Sequence, residues 1–163
     1  MEIVYLETTF FSFYHDERTA PAIVAMRDWT RQFWDERRGH YHLFTSAAVL
    51  EELRKGGAHH KQPALNMALT IPLLPIGDAV AGIVKAYVEN KLMPQDPAGD
   101  ALHLRALHLA LASFHQCDYL VTWNCRHLAN ANKFRHMRQV NQALGLKMPD
   151  LVTPQELLGE IET

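Results

Sequence analysis

The sequence alternates short apolar runs with longer amphipathic stretches, and this alternation leaves few fold classes open. Residues 2–7 (EIVYLE), 41–45 (YHLFT) and 119–122 (YLVT) have the length and composition of buried strands. The segments between them are longer and carry apolar residues at the helical period. Strands separated by helices predict an α/β domain in which a short parallel sheet lies between two helical layers, a three-layer α/β/α fold.

Two more strands and seven helices complete the predicted order. The strands lie near residues 73–76 and 151–152. The helices cover about 21–38, 46–56, 63–70, 79–92, 99–115 and 134–144, and a last one is opened by Pro154. A chain of 163 residues supports one sizeable core, so we expect a single domain over residues 1–163.

Composition is that of an ordinary folded protein. Apolar residues make up 48% and charged residues 21% of the chain, which argues against disorder. The first residues lack a basic segment followed by a long apolar run, so we expect no secretory signal. No apolar stretch approaches the roughly 20 residues of a membrane helix, and Cys117 and Cys125 are too few for a disulfide framework. These features predict a cytoplasmic protein with no membrane partner.

Charge is unevenly distributed, although the net value of −2 does not mark a nucleic-acid binder. Residues 119–149 contain no Asp or Glu. The cationic side chains of this segment are Arg126, Lys133, Arg135, Arg138 and Lys147. The pattern is typical either of a phosphate-attracting patch or of a solvated helix face that balances acids elsewhere.

Three acids stand where predicted strands end or helices begin: Glu7, Glu52 and Asp100. Mg²⁺ prefers carboxylate oxygens, and carboxylates collected from separate strand ends suit a metal site for phosphodiester hydrolysis. The plain alternative for each is a helix-end charge favoured by the helix dipole. At about 100° per residue, Glu52 lies on the flank of the apolar face of its helix while Glu51 points away, so Glu52 is the better candidate ligand.

Several segments together resemble a known family. They are residues 4–9 (VYLETT), 46–56 (SAAVLEELRKG), 99–104 (GDALHL), 110–133 (ALASFHQCDYLVTWNCRHLANANK) and 151–159 (LVTPQELLG). With them the chain resembles PIN domains, and more narrowly the VapC-like toxins of bacterial toxin–antitoxin pairs. The resemblance covers nearly the whole chain and implies a PIN-like fold.

In function, the resemblance implies a metal-dependent endoribonuclease that uses Mg²⁺ or Mn²⁺. By motif, Glu7, Glu52 and Asp100 take the three acidic positions that hold the metal. Thr122 and Asn124 take further catalytic positions beside the strand at residues 119–122, with Asn124 in place of a fourth acid. The family likeness also implies a small antitoxin protein as partner and a homodimer. Among the cations, Arg126, Lys133 and Arg135 are candidates for binding RNA backbone phosphates, a role without sequence preference.

A five-residue repeat puts the third acidic position in question. Residues 101–104 (ALHL) recur as residues 106–109 after Arg105, and five residues do not match the helical period. The family's spacing before Thr122 falls on Arg105, about 7 Å along the helix from Asp100. An ideal helix turns Asp100 inward and Arg105 towards water. We therefore favour Asp100 as the ligand over a third position without an acid.

Other candidate residues have plainer interpretations. His108 and His115 share one helix face without a close Cys or acidic partner, so we expect exposed histidines rather than zinc ligands. Cys117 and Cys125 are expected to be buried thiols. Trp123, beside the expected site, is the one tryptophan that we consider for contact with RNA.

Two further functions stay open. The same fold with a disrupted acidic cluster, as Arg105 and Asn124 suggest, would be a catalytically impaired module that binds RNA or an antitoxin without cutting. A nuclease acting on DNA is the other, because the sequence does not identify a residue that reads the 2′-hydroxyl.

Overall fold

The protein is described here by a computed structural model covering residues 1–56, 61–90, 100–124 and 131–159, without the side chains of residues 61, 100–103, 131 and 132. The strands are β1 (Glu2–Leu6), β2 (Tyr41–Phe44), β3 (Tyr119–Val121) and β4 (Asp150–Val152). The helices of the described segments are α1 (Thr8–Tyr14), α2 (Pro21–Arg37), α3 (Ala47–Lys55), α4 (Lys61–Ala68), α5 (Asp78–Glu89), α6 (Asp100–Phe114), α7 (Ala131–Ala143) and α8 (Pro154–Gly159). A 3₁₀ turn, Arg38–His40, precedes β2.

The four strands form one parallel sheet in the order β2-β1-β3-β4. Val4 in β1 stands opposite Leu43 of β2 on one side and Tyr119 of β3 on the other. Val4, Tyr5 and Leu6 are fully buried, because β1 is paired on both edges and helices cover both faces. The predicted α/β class with a short parallel sheet is confirmed.

The strand order places the helices on two faces. Parallel crossovers are right-handed, and the chain moves from β1 to β2 in one direction but from β2 to β3 in the other. Helices α1, α2 and α8 pack together on one side. On the other side the Tyr87 hydroxyl of α5 donates a hydrogen bond to the side-chain oxygen of Asn141 in α7 and lies 3.3 Å from the Ser113 hydroxyl of α6. The β1–α1 connection thus leaves the sheet opposite to the connections that follow β2 and β3.

Two elements differ from the sequence prediction. The strand expected near residues 73–76 is wrong: Leu73 forms only an isolated parallel bridge with Thr45. Pro72 precedes this stretch and Pro75 lies within it. Because neither carries an N–H, few ladder hydrogen bonds can form. Helix α1, in contrast, has no counterpart in the prediction. Its sequence, TTFFSFY, consists of β-branched and aromatic residues that favour strands, but burial of Phe10 and Phe11 against the core outweighs that preference.

Candidate active site

The carboxyl ends of the strands bring buried polar residues to one edge of the sheet. Glu7 follows β1, Thr45 and Ser46 follow β2, and Thr122 follows β3; each is at most 4% exposed. Since the connections after β1 and β3 leave on opposite faces, a crevice opens between these two strand ends, as at the switch point of other open α/β sheets. The residues of the candidate site lie around that crevice.

Glu7 is a buried carboxylate held by hydroxyl groups. It precedes α1, and its Oε2 accepts hydrogen bonds from the Thr9 backbone N–H (3.2 Å), the Thr9 hydroxyl (2.5 Å) and the Thr122 hydroxyl (2.7 Å). Burial raises the pKa of Glu7 above its ordinary value of 4.5, while nearby His108 and the two threonine hydroxyls act in the opposite direction. Several donors therefore fix the position of the Glu7 carboxylate, although burying its negative charge is costly.

Glu52 of α3 is oriented by a chain of buried hydrogen bonds. Its Oε1 lies 2.5 Å from Nε2 of His108, and Nδ1 of His108 lies 2.6 Å from the Tyr5 hydroxyl. The Tyr5 hydroxyl lies 2.8 Å from the hydroxyl of Ser46, which caps α3 by accepting from the Val49 N–H. One consistent direction satisfies every atom: Ser46 donates to Tyr5, Tyr5 donates to His108, and His108 donates to Glu52.

The expectation of an exposed His108 is wrong. Its side chain is 2% exposed, and its two ring nitrogens connect β1 to α3. His115 behaves differently, since it is half-buried and its Nε2 lies 2.8 Å from the carbonyl oxygen of Pro75. The sequence signal for this contact is Tyr5 within the apolar run of residues 3–6, because a buried phenol requires a polar partner from another element.

A cavity of about 160 Å³ joins the two acids. Its lining residues are Glu7, Thr8, Thr9, Glu52, Leu104, Arg105, His108 and Asn124. The volume is enough for several water molecules. Oε1 of Glu7 and Oε2 of Glu52 accept no hydrogen bond from any residue that the structure describes, so each carboxylate keeps one oxygen free for a ligand.

Arg105 lies in the wall of this cavity, contrary to the expectation that it faces water. It is half-buried. Asp100 is the first residue of α6, more than one turn before Arg105, and its side chain lies outside the described part of the chain. The structure therefore brings Glu7 and Glu52 to one cavity and places a cation beside them, while the predicted role of Asp100 stays a prediction.

The residues after β3 complete the site. Thr122 is 1% exposed and supports Glu7, and the Asn124 backbone N–H donates to the Thr122 hydroxyl at 2.9 Å. The Asn124 residue lines the cavity. Trp123 is held in the fold instead, because its indole N–H donates to Thr30 at 2.8 Å and its ring stacks on Trp29. The suggested contact of Trp123 with RNA stays a prediction.

The predicted cationic residues occupy different environments. Arg126 falls outside the described residues, and Arg135 is exposed on α7. Lys133 is half-buried on the same helix, and its pKa is lowered, first by burial and then by the charge of Arg105. Lys147 forms an ion pair with Asp118 at 2.6 Å, so its charge is already balanced.

The remaining predictions concern the cysteines and the choice of cavity. Cys117 is a buried free thiol as expected, and burial raises its pKa to about 12; Cys125 lies outside the described residues. A larger cavity of about 360 Å³ lies between α2 and α8. Among the described residues its lining includes one acid, Glu36, and no histidine. We therefore identify the site by its convergent carboxylates rather than by cavity size.

Comparisons add no family assignment. No model of a known protein family matches the chain, and no curated protein matches it either. Within the described segments, no group of three or more His, Cys, Asp or Glu side chains is placed to share a metal ion. Across those same segments, no helix is both long enough and apolar enough to span a membrane.

Proposed function

We propose that the cavity between Glu7 and Glu52 is the active site of a metal-dependent endoribonuclease of the PIN-like, VapC-like type. The single observation that carries the proposal is the pair of carboxylates, one from a strand end and one from α3, on two residues that line the same cavity. The resemblance in sequence supports the same function.

The donor set fits one loosely held divalent cation. Mg²⁺ in phosphoryl-transfer sites is usually bound through one or two carboxylates, several waters and substrate phosphate. Glu7 and Glu52 supply two carboxylates, and the cavity has room for waters. Thr8 adds a buried hydroxyl that has no hydrogen-bond partner among the described residues. Asp100 would add a third carboxylate if its side chain reaches the same place.

The chain's own residues would bind and orient the reacting groups. A divalent cation held there would supply charge that polarises the phosphate and makes a water more acidic. Thr9 and Thr122 hold Glu7 in place, and His108 holds Glu52. Asn124, at the cavity wall, would orient the attacking water or a phosphate oxygen. Water then attacks phosphorus, the bond to the leaving oxygen breaks, and that oxygen takes a proton.

Cleavage of labelled single-stranded RNA in Mg²⁺ or Mn²⁺ tests the proposal, with Glu52→Gln as the decisive variant. We expect chelator to abolish cleavage and Glu52→Gln to reduce its rate by at least about a hundredfold, because the variant removes a charged metal ligand. Glu51→Gln is the matched control. Glu51 is the neighbour of Glu52 in the sequence, its side chain is 59% exposed, and its carboxylate pairs with Lys55 at 4.0 Å. Equal rates for the two variants would refute the assignment.

Arg105 favours a second function, a catalytically impaired module that binds RNA or an antitoxin without cutting. A cation in the third acidic position opposes a metal ion by its charge. Wild-type protein that retains RNA but leaves varied sequences uncut supports this function. A variant without residues 101–105, which places Asp100 directly before Ala106, should then gain cleavage.

The proposal extends to partners and compartment through the sequence resemblance. We propose RNA as the substrate, a small antitoxin protein as the inhibitor that covers the crevice, and a homodimer in the cytoplasm. The substrate is distinguished from DNA by comparing RNA and DNA strands of the same sequence in the cleavage assay. Sedimentation of the purified chain measures the oligomeric state.

A further inference from the structure

Arg105 is a partly buried cation at the cavity that also contains Glu7 and Glu52. The residue is half-buried and lines that cavity. Yet no described residue forms an ion pair or a hydrogen bond with it. A guanidinium has five N–H donors in a planar fork that matches carboxylate and phosphate oxygens. A half-buried cation has lost part of its hydration, and an anionic ligand in the cavity would supply acceptors in its place.

A second cation lies near Arg105. Lys133 of α7 is half-buried, and the charge of Arg105 contributes to the lowering of its pKa, after burial. Two like charges that repel each other in a partly buried place are stabilised when an anion binds between or beside them. Lys133 belongs to the acid-free segment of residues 119–149, so that segment contributes no carboxylate to balance the pair.

Neutral groups that can donate hydrogen bonds line the same cavity. The Thr8 hydroxyl is buried without a partner among the described residues, in a side chain whose residue is 9% exposed. Asn124 also lines the cavity. The lining residues therefore fall into two chemically different sets, here called the acidic half and the cationic half of the cavity. Glu7 and Glu52 of the acidic half offer oxygens to a cation, while Arg105, Thr8 and Asn124 of the cationic half offer groups that can donate to an anion.

We propose that Arg105, assisted by Lys133, binds a backbone phosphate of single-stranded RNA directly beside the two carboxylates. This rests on the proposed function in one respect, namely that the cavity receives RNA. In this assignment Arg105 contributes a phosphate-binding group where the family pattern has an acid, and Glu7 and Glu52 hold the metal beside it. The phosphate next to the ion is then held from both halves of the cavity.

Binding measured without catalysis tests the assignment. A short fluorescein-labelled single-stranded RNA of mixed sequence is titrated with protein in EDTA, and anisotropy gives the affinity over a series of salt concentrations. We expect Arg105→Gln to weaken binding by about tenfold or more, the effect of losing a charged hydrogen-bond pair. The slope of log affinity against log salt should fall in magnitude by about 0.7, the value for one lost phosphate contact on a single strand.

Two variants guard against indirect effects. Arg54→Gln removes the same positive charge from α3, at a residue that is not among those lining the cavity. The Arg54 side chain is 55% exposed and lies 3.9 Å from the Glu51 carboxylate. This variant should change neither the RNA affinity nor the slope against salt. Arg105→Lys keeps the charge and loses the planar fork, so it should restore the slope and only part of the affinity. Thermal unfolding followed by circular dichroism identifies a variant whose fold has changed, and Arg105→Lys then decides the outcome alone.

The inference and the proposed function fail in different ways. If Arg105→Gln binds RNA as tightly as Arg54→Gln, with the same slope, the phosphate role of Arg105 is wrong even when the wild type cleaves RNA. If Arg105→Gln weakens binding while the wild type never cleaves, the phosphate role stands and the nuclease proposal falls. Cleavage that rises in Arg105→Asp without loss of RNA affinity also overturns the inference, since Arg105 would then merely displace an acid.

Discussion

The two halves of the cavity differ in how the fold holds them. On the acidic half, Glu7 receives three hydrogen bonds on one oxygen, and Glu52 is tied through buried His108 to Tyr5 and Ser46. On the cationic half, Arg105 has no partner among the described residues, and it stands near another cation. The acidic half is organised by folding alone, whereas the cationic half is left for an anion to complete.

This difference shows where the protein accepts an energetic cost for the site. Burial raises the pKa of Glu7, so the charged form is disfavoured even with three donors. The threonine hydroxyls and His108 reduce that cost without removing it. Preorganised groups of this kind need not rearrange when the substrate arrives, which is the usual advantage of a rigid catalytic shell.

Tyr5→Phe disrupts the hydrogen-bond chain of the acidic half, and we expect its effects on cleavage and stability to be the largest among the variants compared below. The variant leaves the Ser46 hydroxyl without its acceptor and Nδ1 of His108 without its donor, so the histidine that orients Glu52 is no longer fixed. Metal-dependent cleavage should fall by about ten- to a hundredfold, as for other supports of metal ligands, and the free energy of unfolding by about 1–3 kcal/mol. Cleavage kinetics and urea unfolding measure the two effects.

Tyr87→Phe separates orientation from stability. Tyr87 is also fully buried and its hydroxyl bonds to Ser113 and Asn141, but it joins α5, α6 and α7 away from the cavity. It should show a similar loss in the free energy of unfolding with cleavage per folded molecule unchanged. If both tyrosine variants lose cleavage equally, the hydrogen-bond chain has no specific role.

Glu7→Gln tests the energetic cost of the acidic half. Because the folded state raises the pKa of Glu7, it holds the proton to a higher pH than the unfolded chain does. The stability contributed by this group is therefore present below the ordinary value of 4.5, is lost as pH rises to the folded pKa, and stays lost above it. In chelator, Glu7→Gln should gain in the free energy of unfolding relative to wild type as pH rises from acid to neutral. With Mg²⁺ or Mn²⁺ present, the same variant should lose cleavage.

Glu156→Gln controls for that experiment. Glu156 is an exposed acid at the start of α8 whose Oε1 accepts from Thr153, so its substitution should not reproduce this pH-dependent gain. Chemical unfolding at several pH values compares the variants. If the difference in the free energy of unfolding between Glu7→Gln and wild type does not depend on pH, the fold does not raise the pKa of Glu7.

Arg135→Gln should have the smallest effect, and it tests whether RNA affinity depends on Arg105 in the cavity or on an exposed cation of α7. Arg135 is exposed on α7, near Arg138 in a shallow groove. An exposed cation on this face contributes a screened attraction, so we expect RNA affinity to fall by about two- to threefold at low salt and to match wild type at high salt. Anisotropy titrations measure it. A loss as large as that of Arg105→Gln would move the main phosphate contact from the cavity to the groove.

Much of the fold could be read from periodicity, and the exceptions have physical causes. The parallel sheet followed from apolar runs separated by amphipathic segments, and the two prolines explain the strand that did not form at residues 73–76. Helix α1 was missed because its aromatic residues are decided by burial rather than by intrinsic preference. Glu7 and Glu52 were both predicted for the site, since a strand end and a helix flank are visible in one sequence.

His108 and Arg105 mark the limit of that reasoning. Helical periodicity tells which residues share a face of α6, but not which other element packs against each part of the face. His108 became a buried connector only because Tyr5 and Glu52 lie on elements far away in sequence. Arg105 lines the cavity because α6 presents that position to the strand ends. The periodicity of an isolated helix predicts instead that Arg105 faces water.

The sequence by itself determined the α/β class, the order of most elements and the polar residues at the strand ends, because these depend on local periodicity and on the parallel pairing that it implies. Only the tertiary structure decided which of those polar groups meet, and that a cation stands beside the two acids. The physical reason is that contacts between distant segments depend on the exact packing of helices on the sheet, which no local pattern encodes.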